Sequence, residues 1–72
     1  MELRLFTTQS CTQCPIVKQA LDSKGIEYTA IDANEEPELA GEFQIMAVPT
    51  LLDHKGNKYS GVQQCMGLIN QI

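Results

Sequence analysis

By residue type and spacing, the group best suited to chemistry in this chain is Cys11-Thr12-Gln13-Cys14-Pro15. Two cysteines so spaced can close a disulfide, and in thiol–disulfide exchange the thiolate is the nucleophile. Leu3-Arg4-Leu5-Phe6-Thr7 before the pair reads as a short strand and Ile16 to Lys24 after it as a helix. A cysteine where a helix begins lies beside N–H groups with no intrahelical partner and at the positive end of the macrodipole. Such a place lowers a thiol pKa below its free value of about 8.5. Cys11 is therefore placed to attack a substrate disulfide, and Cys14, one helical turn on, to resolve the mixed disulfide. The N–H groups of Gln13 and Cys14 are candidates to hold the thiolate, while Pro15 fixes the first turn of the helix. Thr12 and Gln13 are expected to be exposed and to touch the partner.

Two other readings compete. The cysteines could be an inert buried pair, although the start of a helix is an odd place for one. Cys11, Cys14, His54 and Cys65 could also make up a Cys₃His zinc set, or the pair could bridge a metal between two chains. Distance argues against the first zinc reading. If Pro49 lies beside the cysteine pair, His54 is five residues further along a strand, about 16 Å away at ~3.3 Å per residue. A zinc ligand lies within about 2.3 Å of its ion. His54 reads better as a solvated turn residue and Cys65 as a small buried hydrophobe, with a regulatory thiol as the alternative.

The elements that must position the pair follow from periodicity. In the first helix Cys14, Val17 and Leu21 share a face, with Ile16 and Ala20 beside it, and Gly25 ends the helix. Ile26 to Asp32 is apolar and β-branched and reads as a second strand, parallel to the first. Asn34 can cap a second helix with Pro37 in its first turn, Glu35, Glu36 and Glu38 at its positive end, and Leu39 and Phe43 inward. Val48 to Leu52 reads as a third strand, Asp53 to Asn57 as a turn and Lys58 to Ser60 as a fourth strand, forming a hairpin. After Gly61, a last helix can place Val62, Met66 and Ile69 on one face, with Cys65, Leu68 and Ile72 beside it. Met46, Met66, Tyr28, Phe6 and Phe43 are assigned to core or rim.

Composition narrows the function. Seventy-two residues make one small domain, 1–72, with a thin core. A net charge of −4 with no basic run argues against nucleic-acid binding. No apolar run approaches the ~18 residues of a membrane span. Met1-Glu2-Leu3-Arg4 lacks a signal-peptide pattern, and three cysteines fit poorly with a secreted disulfide framework. A cytoplasmic location, where such a pair tends to be catalytic or metal-binding, is expected.

The order β-α-β-α-β-β-α, with the cysteine pair after the first strand, Val48-Pro49-Thr50 opening the third and Gly61 before the last helix, resembles the thioredoxin fold in its short glutaredoxin form. The resemblance covers essentially the whole chain. It implies an α/β fold with a four-stranded mixed sheet and helices on both faces. It also implies that Pro49 is cis and faces the cysteines, leaving the Val48 backbone free to pair with an extended substrate segment. Cys11-Thr12-Gln13-Cys14 and Tyr59-Ser60-Gly61 are similar to the NrdH-type redoxins, which thioredoxin reductase serves, while Phe43 to Leu52 is more like thioredoxins. The glutathione-site pattern of glutaredoxins is poorly kept. Thr8 stands where they typically have lysine, and Gln63 and Gln64 lie where an aspartate-bearing turn is usual. Leu5 replaces the buried aspartate of thioredoxins.

The reading is a dithiol–disulfide oxidoreductase that carries electrons from a reductase to a target protein. It needs no bound cofactor. Its redox group is the Cys11–Cys14 disulfide, with NADPH acting indirectly through a thioredoxin-reductase-type flavoenzyme. Thr12, Gln13, Ala47, Val48, Gly61 and Val62 would form an uncharged rim for partners. The target is a disulfide-containing protein, with ribonucleotide reductase one candidate, and the chain is expected to be monomeric. The alternatives are a glutathione-dependent glutaredoxin and, from another class, a non-catalytic zinc-binding or interaction module.

Overall fold

Leu3, Leu5, Phe6 and Thr7 are all buried, because the strand they form, β1 (Leu3–Thr7), has a neighbour on each side and is covered on both faces. In the computed structural model, which describes residues 3–72, β1 pairs in parallel with β2 (Tyr28–Asp32) and antiparallel with β3 (Thr50–Leu52). Met1 and Glu2, part of the stretch read as lacking a signal peptide, lie outside the described residues. A hairpin joins β3 to β4 (Lys58–Ser60), giving a four-stranded mixed sheet in the order β2-β1-β3-β4. The helices are α1 (Cys14–Ser23), α2 (Pro37–Glu42) and α3 (Gly61–Gln71). The element order and mixed sheet are those expected from the sequence.

The two faces of β1 carry two packing groups. On one, Leu3 and Leu5 join Leu51 of β3, Val17 and Leu21 of α1, and Cys65, Leu68 and Ile69 of α3 in a single cluster. Leu5 and Leu51 are directly opposite across the strand pair, where side chains approach closely. On the other face Phe6 packs against Phe43, beyond the end of α2, with ring centroids 6.2 Å apart, and the Arg4 guanidinium lies 5.6 Å from the Phe43 ring centre. Helices thus cover both faces, with α1 and α3 on one and α2 on the other.

Local chemistry sets the element boundaries, and it corrects several expected ones. Gly25 takes the left-handed conformation (φ +68°), and the N–H of Ile26 donates back to the Leu21 carbonyl (3.0 Å). Ile26 is therefore spent on ending α1, and β2 starts only at Tyr28. Asn34 does not cap α2. The Asp32 side chain accepts from the N–H groups of Asn34 (2.8 Å) and Glu35 (3.2 Å), forming a turn, and the helix begins at Pro37 after Glu36. Proline suits a first helical position, where no N–H is needed. The face of α1 that is buried is the expected one, Cys14, Val17 and Leu21, and Ile16 beside it is half exposed. In α3 the buried stripe is Cys65, Leu68 and Ile69, with Val62 and Met66 flanking it and Ile72 exposed. Packing α3 against both α1 and the sheet selects this phase.

The hairpin turn lies at the end of β3 away from Pro49. There the Asp53 carboxylate accepts from the N–H groups of Lys55 (2.9 Å) and Asn57 (2.8 Å) and from the Tyr59 hydroxyl (3.4 Å). Desolvation pushes the Asp53 carboxyl up, but bonds from Asn57, Lys55 and Tyr59 outweigh it and leave the group below its ordinary value.

Candidate active site

Strand register brings the site together. Phe6 is opposite Thr50, Thr50 is opposite Ser60, and Thr7 is level with Asp32. The C-terminal end of β1, the N-terminal end of β3 and the C-terminal end of β4 therefore share one edge. The loop carrying Cys11, the Val48-Pro49 approach and the Ser60-Gly61-Val62 junction all arrive there. Gly61, at φ +85°, turns the chain into α3 and donates its N–H to the Pro49 carbonyl (2.8 Å). The Val48–Pro49 peptide is cis, as the resemblance implied. The Thr50 hydroxyl donates to the Ala47 carbonyl and ties down the same approach. The sequence reading lacks that contribution, although a hydroxyl able to bond the backbone three residues back is a local signal.

Cys11 and Cys14 are joined in a disulfide with Cα atoms 5.5 Å apart. Cys14 heads α1 and is 1% exposed, while Cys11 is half-buried and Thr12 and Gln13 are exposed. The N–H of Cys14 donates to Cys11 Sγ (3.1 Å), so the helix start does direct a donor at that sulfur. It is the N–H of Cys14 that does this, rather than that of Gln13, whose carbonyl accepts from Ile16. Upstream, Cys11 N–H donates to Thr8 O (3.2 Å) and closes the approach turn. This geometry can interconvert a dithiol and a disulfide, with Cys11 the more accessible sulfur.

Around the pair, Val48, Gly61 and Val62 are half-buried, Pro49 is buried and Ala47 is exposed. Met46 is 93% exposed and belongs to the rim rather than the core. No residue from Thr8 to Gln13, from Met46 to Pro49 or from Ser60 to Gln64 carries a formal charge. The Gln64 side-chain carbonyl accepts from the Ser60 N–H (3.1 Å) and so is already engaged in starting α3. Leu5 is wholly buried among hydrocarbon, with no carboxylate at that position.

The four residues of the zinc alternative are not brought together. His54 is exposed in the hairpin turn, away from the cysteine pair. Cys65 is buried under β3 and β4, its thiol donating to the Tyr59 carbonyl (3.2 Å) and, at 3.8 Å, to that of Pro49. Among the described residues no group of three His, Cys, Asp or Glu side chains is placed to hold a metal ion.

Burial pushes the Cys65 thiol above its ordinary value, against a smaller downward pull from the Leu51 backbone. The folded chain thus holds this proton more tightly than the unfolded chain. Its contribution to stability is fully present below the unfolded thiol pKa of about 8.5 and is lost as pH rises through the folded value. The Tyr28 phenol, pushed up by burial and then by Asp22, acts in the same sense near pH 10. For the disulfide form, the urea midpoint should be flat from pH 7 to 8 and fall above about 8.5. Cys65→Ala should remove the first part of that fall, and a midpoint that rises there contradicts the assignment.

The glutaredoxin family model matches residues 3–53. The chain is 28% identical to a thioredoxin of Methanocaldococcus jannaschii over 78 aligned positions, covering 100% of this chain and 92% of that protein. It is 32% identical over 60 positions to YosR, a thioredoxin-like protein of the SPbeta prophage of Bacillus subtilis, covering 81% of this chain and 75% of the relative. Among solved structures it superposes on the NrdH-redoxin of Escherichia coli with a TM-score of 0.84 at 23% identity, covering 100% of this chain and 95% of the other. No described helix is long and apolar enough to cross a membrane. With the paired cysteines at the head of α1 and the family match spanning both, the chain belongs to the glutaredoxin family and is a thiol–disulfide oxidoreductase of the thioredoxin fold.

Proposed function

We propose that residues 1–72 act as a single cytoplasmic, monomeric redox domain that reduces protein disulfides and is itself reduced by a thioredoxin-reductase-type flavoenzyme using NADPH. The Cys11 thiolate attacks one sulfur of the target disulfide, and the other target sulfur leaves as a thiolate. Cys14, once deprotonated, attacks Cys11 Sγ, closing the Cys11–Cys14 disulfide and releasing the second target thiolate. Two electrons pass from the dithiol to the target, and NADPH replaces them through the reductase. Ribonucleotide reductase is one candidate target. Thr12, Gln13, Val48, Pro49, Gly61 and Val62 form the contact rim, with the Val48 backbone available for strand-like pairing.

The observation that carries the choice of reductant is the uncharged rim. Glutathione presents two carboxylates and an ammonium, while Thr8, Gln63 and Gln64 offer neither cation nor anion, and the Gln64 carbonyl is taken by Ser60. A hydrogen bond to a charged group contributes about 1.5–3 kcal/mol, so losing one weakens glutathione binding by roughly tenfold or more. A reductase protein can instead read a flat neutral surface and exposed backbone. The NrdH-redoxin of Escherichia coli is a glutaredoxin-like protein with a thioredoxin-like activity profile, which agrees with this reading. With insulin as substrate, turnover should be at least about tenfold faster with thioredoxin reductase and NADPH than with glutathione and its reductase. Faster turnover with glutathione would place the chain with the glutathione-dependent members and make Gln63 and Gln64 sufficient for recognition.

A further inference from the structure

The two edges of the sheet are treated differently. Edge strands expose unpaired backbone groups, and proteins usually blunt them with short strands, lysine, proline or bulges. The β4 edge follows that rule. It is three residues long, and its exposed Lys58 reaches across to the Gln44 carbonyl (3.3 Å). The β2 edge does not. Tyr28-Thr29-Ala30-Ile31-Asp32 has no lysine or proline and pairs with β1 through five consecutive positions without a bulge.

The direction of its backbone groups can be read from one bond. The N–H of Ala33 donates to the Thr7 carbonyl (2.8 Å), so residue 33 and, at period two, Ile31 and Thr29 turn their backbone groups toward β1. Tyr28, Ala30 and Asp32 turn theirs outward. The Asp32 carbonyl is taken by the N–H groups of Glu35 (3.1 Å) and Glu36 (2.8 Å). Among the described residues, the outward N–H and C=O of Tyr28 and Ala30 have no partner, which leaves a short ladder ready for another strand.

This ladder borders a groove of about 930 Å³ lined by Leu3, Asp22, Ile26, Glu27, Tyr28, Thr29 and Ala30. It starts at the end of β2 away from the cysteine pair, since Tyr28 is level with Leu3 and Asp32 with Thr7. Among the described residues, the formal charges lining it, on Asp22 and Glu27, are both negative. The neighbouring cation, Lys24, is turned away, its Nζ donating to the Ile69 carbonyl at the end of α3 (3.1 Å). A second copy of the chain fits poorly, because pairing β2 with β2 would bring both copies' Asp22 and Glu27 into one groove between chains of net charge −4.

We propose that the open β2 edge is a second interaction surface, separate from the cysteine pair, that takes an extended segment of a partner protein carrying basic side chains. Main-chain bonds to Tyr28 and Ala30 would supply pairing, and Asp22 and Glu27 would select for positive charge. Such a surface holds a partner on the flank while the cysteines stay free.

The probe is an acetylated, amidated Lys-Val-Lys-Val-Lys peptide, titrated into ¹⁵N-labelled disulfide-form protein, with Glu-Val-Glu-Val-Glu as control. Saturable amide shifts are expected at Tyr28 to Asp32 and around Asp22 and Glu27 with the basic peptide only. Ala30→Pro removes an outward N–H without removing a bond to β1, as edge strands tolerate. It should weaken binding at least about tenfold while insulin reduction is unchanged. The double variant Asp22→Lys, Glu27→Lys should reverse the preference toward the acidic peptide, which tests the charge argument without altering the strand backbone. Absence of saturable shifts at millimolar peptide, equal response to both peptides, shifts centred on Cys11 and Val48, or undiminished binding by folded Ala30→Pro would each overturn the proposal.

Discussion

Cys11→Ser is expected to abolish disulfide reduction, with a loss of at least about a thousandfold, because a hydroxyl can neither complete the redox pair nor replace the Cys11 thiolate in the nucleophilic role proposed for it. Cys14→Ser should behave differently. It leaves Cys11 able to attack, so the first exchange proceeds and the mixed disulfide accumulates. The asymmetry rests on three observations. Cys11 is the more exposed sulfur, Cys14 is buried at the head of α1, and the Cys14 N–H is directed at Cys11 Sγ. Mass spectrometry after mixing with a disulfide substrate should find a covalent adduct on Cys11 in Cys14→Ser and none on Cys14 in Cys11→Ser. Iodoacetamide at pH 6 should label Cys11 of the reduced protein before Cys14 and well before buried Cys65. Preferential labelling of Cys65, or a stable adduct on Cys14, would overturn the assignment.

Leu5→Ala should cost about 2–5 kcal/mol of stability. Leu5 is fully buried in the strand with a partner on each side, opposite Leu51 and in the cluster with Val17 and Leu21. Neither β1 nor the helices above it can move inward to fill the space without losing register. In a domain of this size that loss is a large part of a total near the low end of about 5–15 kcal/mol, so a substantial unfolded fraction is expected at 37 °C. Ile16→Ala, in contrast, changes a half-exposed side chain and should shift stability by less than about 0.5 kcal/mol. Urea denaturation of both variants checks the pair of expectations. Similar losses would mean that Ile16 is packed and that the orientation of α1 described above is wrong.

Much of the fold is legible in the sequence because its signals are local. Alternation in Leu3-Arg4-Leu5, the helical spacing of Cys14, Val17 and Leu21, the stop at Gly25 and the Asp53 to Asn57 turn each depend on residues a few positions apart. The cysteine pair is legible for the same reason, since its placement at a strand-to-helix junction needs only the neighbouring residues. The details that differ are those where local options compete. Asn34 and Asp32 could each organise the entry to α2, and the Asp32 carboxylate wins because it also closes the turn from β2.

What the sequence by itself determined is the order of elements, the redox pair and the lack of formal charge in the loops that surround it. The tertiary structure decided which segments meet. Register between β1 and the β3–β4 hairpin is a long-range property, and it brings Pro49 and Gly61 to the end of the sheet that carries Cys11, linked by the bond from Gly61 N–H to the Pro49 carbonyl. It likewise decided that Met46 faces solvent while Cys65 is enclosed, although Met46 lies in the apolar run Ile45-Met46-Ala47-Val48 and Cys65 follows two glutamines, Gln63 and Gln64. The phase of α3 had the same origin. Periodicity shows that a helix has an apolar side, but several rotations expose nearly equal hydrocarbon, and packing against α1 and the sheet together selects Cys65, Leu68 and Ile69. The open β2 edge was hidden for the corresponding reason. Whether a strand lies at the centre of a sheet or at its margin depends on what pairs with it, and that is fixed by contacts far apart in the chain.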